Sequence, residues 1–350
     1  MRDKTVPTIY VHVNSEKNYF HNSSHTGLVT PSSMKSDWHV VVGYGAHIKA
    51  THHSLIIQQK GKEHVILLNN INHLLILGGH TLQTTAISSL IHAGISITLF
   101  KSDGNPIAII RPYHTTIDLY IQEIQKNTPP FTYAVILAEH IIKTRILAIE
   151  AWNDVSEKNL LYAGELDILH QSLNEIPYLV TMDEIRRIER LVTDMYYEIM
   201  SRLLLNTPYN FKRRTERPYS DLINTMFGFG YAILTGLCNV HLIGAFLDLD
   251  YPILTKGRWG LAYDFAGLNK VAMIDKIILA MSLDGIESYD YELSKNRCIL
   301  SDNLIRRLLK EIHTSIDQTI LSAQVAEYIA SLQGEKEWKI QSSVFNQKIS

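Results

Sequence analysis

The sequence predicts an α+β protein, with a small amino-terminal β-rich domain followed by a larger all-helical domain. Two textures predict it. Between Trp38 and Ile110 the apolar residues come in short runs of strand length divided by turn residues; after Pro112 they recur every three or four positions over long stretches. Length agrees, because 350 residues exceed what one hydrophobic core usually takes, and 46 % hydrophobic content is enough to fill two. The predicted division is a polar extension over 1–37, a β-rich domain over 38–112, a helical domain over 113–333 and a polar tail over 334–350.

The first 37 residues are rich in His, Ser and Asn and show little periodicity beyond Ile9–Val13. Strands are expected at Trp38–Val42, Leu55–Gln59, His64–Leu68, His73–Leu77, Ile95–Phe100 and Ile107–Ile110. Turn chemistry such as Gln59-Lys60-Gly61-Lys62 and Ser102-Asp103-Gly104-Asn105 separates them. One helix, about Leu82–His92, interrupts the series before Gly94. In the second domain Ala138, Ile142, Ile146 and Ile149 line one helix, whose Glu139 and Lys143 form an i,i+4 pair. Ile185, Ile188, Val192, Met195, Ile199 and Leu203 line a second, and Leu222, Met226, Phe229 and Ile233 a third. Leu304, Leu308, Ile312, Ile316, Ile320 and Ala323 predict a fourth, long and continuous helix, and no strand is expected after Pro112.

Charged residues are only 19 % and the net charge is −2, so any basic binding surface must be local. Cys238 and Cys298, with no CxxC, offer neither a disulfide framework nor a zinc ribbon, and read as reduced core thiols of a cytoplasmic protein. The start, MRDKTVPTIY, lacks the apolar segment of a secretory signal. Met226–Leu247 is long and uncharged enough to span a membrane. Its Asn239, His241 and four glycines argue instead for a buried pair of helices broken near Thr235-Gly236, and no membrane association is expected.

GxGxxG, P-loop, HExxH and GxSxG motifs are all absent, which removes the easily read nucleotide-binding and hydrolase classes. His52-His53 has no third ligand at metal spacing and reads as a turn pair. Two acids stand out. Glu189 lies among Arg186, Arg187 and Arg190, where a solvated face with local ion pairs is the plain reading. Asp264 closes the apolar run Leu261-Ala262-Tyr263, where a helix N-cap and a metal-ligand role both account for it. Basic residues gather at Lys212, Arg213, Arg214 and Arg217, and again at Arg306, Arg307 and Lys310. Such clusters solvate helix ends; beside a metal-type acid they suit a polyphosphate backbone, whose counterions Lys and Arg replace.

Several segments, in shared order, resemble the CRISPR-associated spacer-acquisition integrases, the "Cas one" family, over about Trp38 to Ala330. The strand and glycine turn Phe100-Lys101-Ser102-Asp103-Gly104 with Arg111-Pro112 resemble that family's β-domain. Ile188-Glu189 with Tyr196-Tyr197 resembles its Ile-Glu helix. Phe211, Arg213 and Arg217-Pro218 followed by Asp221, Asn224, Gly230-Tyr231 and Leu234 resemble its Arg-Pro…Asp-x-x-Asn…Tyr-x-x-Leu segment. The resemblance implies an Mg²⁺ or Mn²⁺ held by a glutamate, a histidine and one or two aspartates, serving 3′-hydroxyl attack on a phosphodiester. It places the glutamate at Glu189 and the first aspartate at Asp264. At the histidine position stands Leu254, and at the second acid position Gly267. Neither side chain supplies a donor atom, so catalysis and metal binding rest on the remnant pair Glu189 and Asp264. The nearest histidine in sequence, His241, is more often a satisfied core residue than a substitute ligand.

The resemblance further implies double-stranded DNA as partner, a homodimer formed through the β-domain, and a small ferredoxin-like partner, "Cas two". The favoured reading is an adaptation protein that holds DNA with a degraded metal site beside an active paralogue, with Arg186, Arg187, Arg190, Lys212, Arg213, Arg214 and Arg217 on the DNA. An active integrase or endonuclease and an unrelated interaction scaffold are the alternatives.

Overall fold

A computed structural model describes residues 38–112, 117–156, 160–295 and 297–340. The predicted polar extension over 1–37 lies outside them. Two compact units result. Among the described residues, one comprises 38–119 with 243–246, the other 120–242 with 247–340.

The first unit is a six-stranded sheet built from β1 (Trp38–Ala50), β2 (Ser54–Gln59), β3 (Lys62–Leu67), β4 (His73–Leu82), β5 (Ser96–Phe100) and β6 (Pro106–Ile110), in the order β3-β2-β1-β4-β5-β6. Hairpin neighbours are antiparallel, while β1 with β4 and β4 with β5 are parallel. A parallel step needs a crossover, and α1 (Thr84–His92) supplies it between β4 and β5. Ile48, Leu55, Leu74, Leu90 and Ile97 meet in its core.

The strand predicted to stop at Val42 continues to Ala50, because Gly43-Tyr44-Gly45 is a bulge in the ladder with β4 rather than a turn. Gly43 pairs with Gly78, both at left-handed φ, and a Cβ on Gly78 would lie 2.0 Å from the Gly43 carbonyl oxygen. His73, fully buried, is held by Thr98 Oγ1 at 2.7 Å and stacks on Phe246. The pair His52-His53 is exposed in the β1–β2 turn, where the Thr51 hydroxyl accepts the His53 backbone N–H.

Beyond α2 (Ile117–Asn127), the second unit contains α3 (Phe131–Val155), α4 (Glu165–Glu175), α5 (Met182–Leu203), α6 (Leu222–Gly244), α7 (Gly260–Lys270), α8 (Lys276–Asp284), a β7–β8 hairpin (Tyr291–Ser294 and Arg297–Leu300), α9 (Asp302–Ser315) and α10 (Gln318–Leu332). The mostly helical architecture agrees with the sequence; four details differ. First, the hairpin was not anticipated after Pro112. Second, the apolar stripe from Leu304 to Ala323 divides in two, because Asp317 caps α10 by accepting the Thr319 N–H at 2.9 Å. Third, α6 is one helix rather than a pair broken at Thr235-Gly236. Glycine costs only about 1 kcal/mol in a helix, and two of these glycines make room for neighbours: a Cβ on Gly228 would lie 2.1 Å from Tyr219, and one on Gly230 2.6 Å from Ile274. Although α6 meets the length and hydropathy criteria for a membrane span, 78 % of that window is buried inside the protein, as expected of a core helix. Fourth, the polar segment after Gln333 is not all tail: Trp338 is buried against Tyr133, Phe265 and Tyr328.

Candidate functional site

The site residues come from α3, α5, α6, α7 and the loop before α7. A capping box between Thr181 and Glu184 starts α5 and sets its rotation. Ile185, Ile188, Val192 and Ile199 face the core. Glu189, Thr193, Tyr196 and Tyr197 follow at i, i+4, i+7 and i+8, and so form a polar edge to the same stripe. Glu189 is therefore not on a solvated face. Its Oε1 accepts from Arg145 Nη1 at 2.7 Å and from the Thr193 hydroxyl at 2.8 Å, with the glutamate side chain 24 % exposed and the arginine 5 %. Burial pushes the Glu189 carboxyl up, and the Arg145 guanidinium with the Thr193 hydroxyl outweighs it, leaving the group below the usual carboxylate range.

Asp264 sits inside α7, so it does not cap that helix. It holds instead the chain entering it. Oδ2 accepts the backbone N–H of Ile253 at 2.6 Å and of Leu254 at 3.1 Å; Oδ1 accepts the N–H of Thr255 at 2.8 Å and its hydroxyl at 2.5 Å. Four donors occupy both oxygens of a carboxylate only 1 % exposed. Leu254, at the position where the histidine is expected, is locked through its main chain at both ends: its N–H is on Asp264 and its carbonyl accepts from Arg186 Nε at 2.6 Å. Its side chain is buried. At the other expected ligand position, a Cβ on Gly267 would stand 3.1 Å from Ile141 Cδ1. One turn further along α3 comes Arg145, on Glu189. Thus α3 stands against two of the four expected ligand positions, with a methyl group at Gly267 and a cation at Glu189.

Two residues that sequence reading missed, Asp275 and Lys270, complete the cluster. Asp275 accepts hydrogen bonds from the Tyr196 hydroxyl at 3.0 Å and from the Tyr231 hydroxyl, and Tyr197 in turn bonds Tyr231. Lys270 Nζ lies 5.0 Å from the centroid of the Tyr231 ring. The backbone from Val271 to Asp275 is a π-helical turn. Its i→i+5 spacing brings Lys270 and Asp275 onto nearly one face, where α-helical geometry would set them about 140° apart. Burial lowers the proton affinity of Lys270, and Arg145 adds to that, while Glu189 and Asp275 oppose it. Burial raises the Asp275 carboxyl, against the pull of the two tyrosine hydroxyls. The usable signal was an acid closing an apolar run, which Val271-Ala272-Met273-Ile274-Asp275 shows as clearly as the run before Asp264.

The seven basic residues expected on DNA divide. Arg187, Arg190, Lys212, Arg213 and Arg217 are exposed. Arg186 is engaged with Leu254 and with Asp183 at 3.0 Å. Arg214 donates to the Asn224 side chain and backbone carbonyl, and lies over the Tyr219, Phe227 and Tyr231 rings at 5.3–5.4 Å. In the second cluster Arg307 pairs with Asp290 at 2.9 Å. His241 faces Ser322 at 3.1 Å, and burial holds its imidazole down to about 4.

Among the described residues no three His, Cys, Asp or Glu side chains come together in a way that could hold a metal ion. The donor set does not fit Mg²⁺ or Mn²⁺. Octahedral cations take oxygen ligands with free lone pairs, whereas both Asp264 oxygens are committed to four N–H and O–H donors and Glu189 already faces a guanidinium.

The family model described as "CRISPR associated protein Cas1" matches residues 39–314. A putative CRISPR-associated endonuclease Cas1 2 from Methanospirillum hungatei is 41 % identical over 299 residues, covering 85 % of this chain and 98 % of its own length. Among solved structures, a casposase bound to integration product superposes with a TM-score of 0.72 at 18 % identity, covering 89 % of this chain and 99 % of its own. A partial Cas6-RT-Cas1–Cas2 complex gives 0.66 at 18 % identity, covering 88 % and 98 %. At those identities the two structures share the fold.

Proposed function

Because the chain belongs to the CRISPR-associated protein Cas1 family, we propose that it serves CRISPR adaptation as a DNA-binding, complex-building subunit that does not itself catalyse strand transfer. Membership sets aside the unrelated scaffold. The observation that carries the reading is the commitment of Asp264 to the backbone of Ile253, Leu254 and Thr255. A carboxylate that organises a loop with both oxygens has no lone-pair direction left for a cation. Glu189, neutralised by Arg145, is alone as a candidate ligand.

The exposed Arg187, Arg190, Lys212, Arg213 and Arg217 are the proposed contacts to the phosphates of double-stranded DNA. Arg186 and Arg214 support them by fixing the Leu254 loop and the segment around Asn224. The proteins of like fold, a casposase bound to integration product and a partial Cas6-RT-Cas1–Cas2 complex, support duplex DNA and a Cas2-type protein as partners. A homodimer through the β-rich unit and an active paralogue that performs the chemistry complete the proposed assembly.

The test measures two things in parallel: strand transfer of a short duplex with free 3′-hydroxyls into a repeat-bearing plasmid with Mn²⁺, and binding of the same duplex in EDTA. The expected result is no transfer, with duplex binding that survives the chelator and is not weakened by Glu189→Gln. Mn²⁺-dependent transfer that disappears in Glu189→Gln overturns the proposal and makes the chain a working integrase.

A further inference from the structure

We infer that Lys270, flanked by Arg145 and Arg214, is a metal-independent seat for a phosphate group of bound nucleic acid; this rests on the reading of the chain as a non-catalytic DNA-binding subunit. Lys270 lies among charged groups, with Arg145 and Arg214 on one side of the balance and Glu189 and Asp275 on the other, and none of the ion pairs formed by these residues is its own. Arg145 takes Glu189. Asp275 is hydrogen-bonded by two tyrosine hydroxyls. Arg214 is on Asn224, whose amide donates in turn to Asp221, and Lys270 is left on the face of Tyr231.

A part-buried cation is costly without a counter-charge, so an anion suits the place beside Lys270. The backbone supports the same conclusion independently. A π-helical turn is rare and recurs at functional sites, and here it is what carries Lys270 to the same face as Asp275 and over Tyr231. Glu189, Gly267 and Lys270 all retain partial solvent exposure, so the face is open to a ligand. In a metal-dependent site a divalent ion supplies the positive charge that meets a phosphate. In this chain the lysine ammonium supplies it, with no metal needed, and as a point charge it neither selects a base nor requires a bidentate fit.

The test is anisotropy of a short labelled DNA duplex in EDTA across a salt series, for the wild-type chain, Lys270→Gln, Lys270→Arg and Arg214→Gln, each first checked for folding by thermal melting. Loss of one phosphate contact lowers the magnitude of the slope of log K against log salt by about one unit. Lys270→Gln is expected to show that change with about tenfold weaker binding, and Lys270→Arg to restore both. If Lys270→Gln does not fold, Arg214→Gln carries the test, with the same direction of change expected. Unchanged affinity and slope in the glutamine variant overturn the inference while leaving the non-catalytic reading intact; transfer by the wild-type chain with Mn²⁺ overturns that reading instead. Inorganic phosphate separates the two sources of the anion. A rise in melting temperature that Lys270→Gln abolishes, without any effect of that variant on duplex binding, assigns the site to free phosphate and overturns the nucleic-acid part.

Discussion

Glu189 and Asp264 are two carboxylates of the helical unit, both expected on one metal, and the fold treats them in opposite ways. Asp264 is satisfied by main-chain N–H groups of a neighbouring loop and by Thr255. Glu189 is satisfied by side chains, Arg145 and Thr193, and keeps an opening to solvent. The first arrangement builds the backbone and cannot be exchanged without moving it. The second is a pairing of side chains that substitution can alter. An acid in a family's ligand position thus says little about metal until its own acceptor sites are counted.

The contrast predicts unequal costs, and Asp264 gives the largest. Asp264→Ala leaves three backbone N–H groups and a hydroxyl without their acceptor in a site that is 1 % exposed. At about 1–3 kcal/mol for each buried donor, partly relieved by relaxation, the expected loss is about 4 kcal/mol. Glu189→Ala should cost about half of that, because it leaves the buried Arg145 without its counter-charge but with a route to water through the opening left behind. Denaturant unfolding of the two variants checks the ratio; equal losses would mean that the two acids play the same structural part.

Much of the fold was legible in the sequence, because strand length, helical periodicity and turn residues are local properties. Each of the six predicted runs from Trp38 to Ile110 falls within a strand of the sheet or differs from it by one residue. What failed depended on distant partners. The glycines of α6 read as a break because Ile274, which fills the space beside Gly230, lies far along the chain, and Tyr219, which fills that beside Gly228, lies outside the helix. The same holds for the site. Glu189 and Asp264 stood out by position, and Leu254 and Gly267 were located by resemblance, yet nothing near Glu189 in sequence announces Arg145, which hides within the apolar stretch of α3. Lys270 and Asp275 were missed because helical spacing puts them on different faces, and only the π turn brings them together.

A middle-sized effect comes from Arg145 and Ile141, the two α3 side chains that stand against Glu189 and Gly267. Arg145→Met leaves Glu189 without its cation. A broken buried pair costs about 3–5 kcal/mol, and with the glutamate 24 % exposed the expected loss is about 2 kcal/mol. Restoring the expected ligands alone, as Leu254→His with Gly267→Asp, should give no Mn²⁺ binding, since the new aspartate meets Ile141 Cδ1 and Glu189 still faces a guanidinium. Adding Ile141→Ala and Arg145→Met should produce Mn²⁺ binding, read by electron paramagnetic resonance. Metal binding by the double variant alone would show that α3 does not block the site and would narrow the difference between the two acids.

The smallest effect concerns His241, the imidazole weighed as a replacement ligand. Burial holds it near 4, below the ordinary histidine value of 6.5. The sign follows from which state takes up protons. Below pH 6.5 the unfolded chain binds a proton that the folded chain refuses until about pH 4, so stability is full above 6.5 and falls as pH drops through that window. Between pH 7.5 and 5.5 one such histidine contributes a loss of about 1.4 kcal/mol. His73 and His140, also lowered to about 4 by burial, contribute alike in wild-type protein and variant. The difference in pH slope between wild type and His241→Gln therefore isolates this residue. Mn²⁺ should leave that difference unchanged, because the Nδ1 of His241 faces a serine hydroxyl and, among the described residues, no three potential ligands gather to hold a metal. A slope that shifts with Mn²⁺ would make His241 the third ligand and return Glu189 and Asp264 to a common metal site.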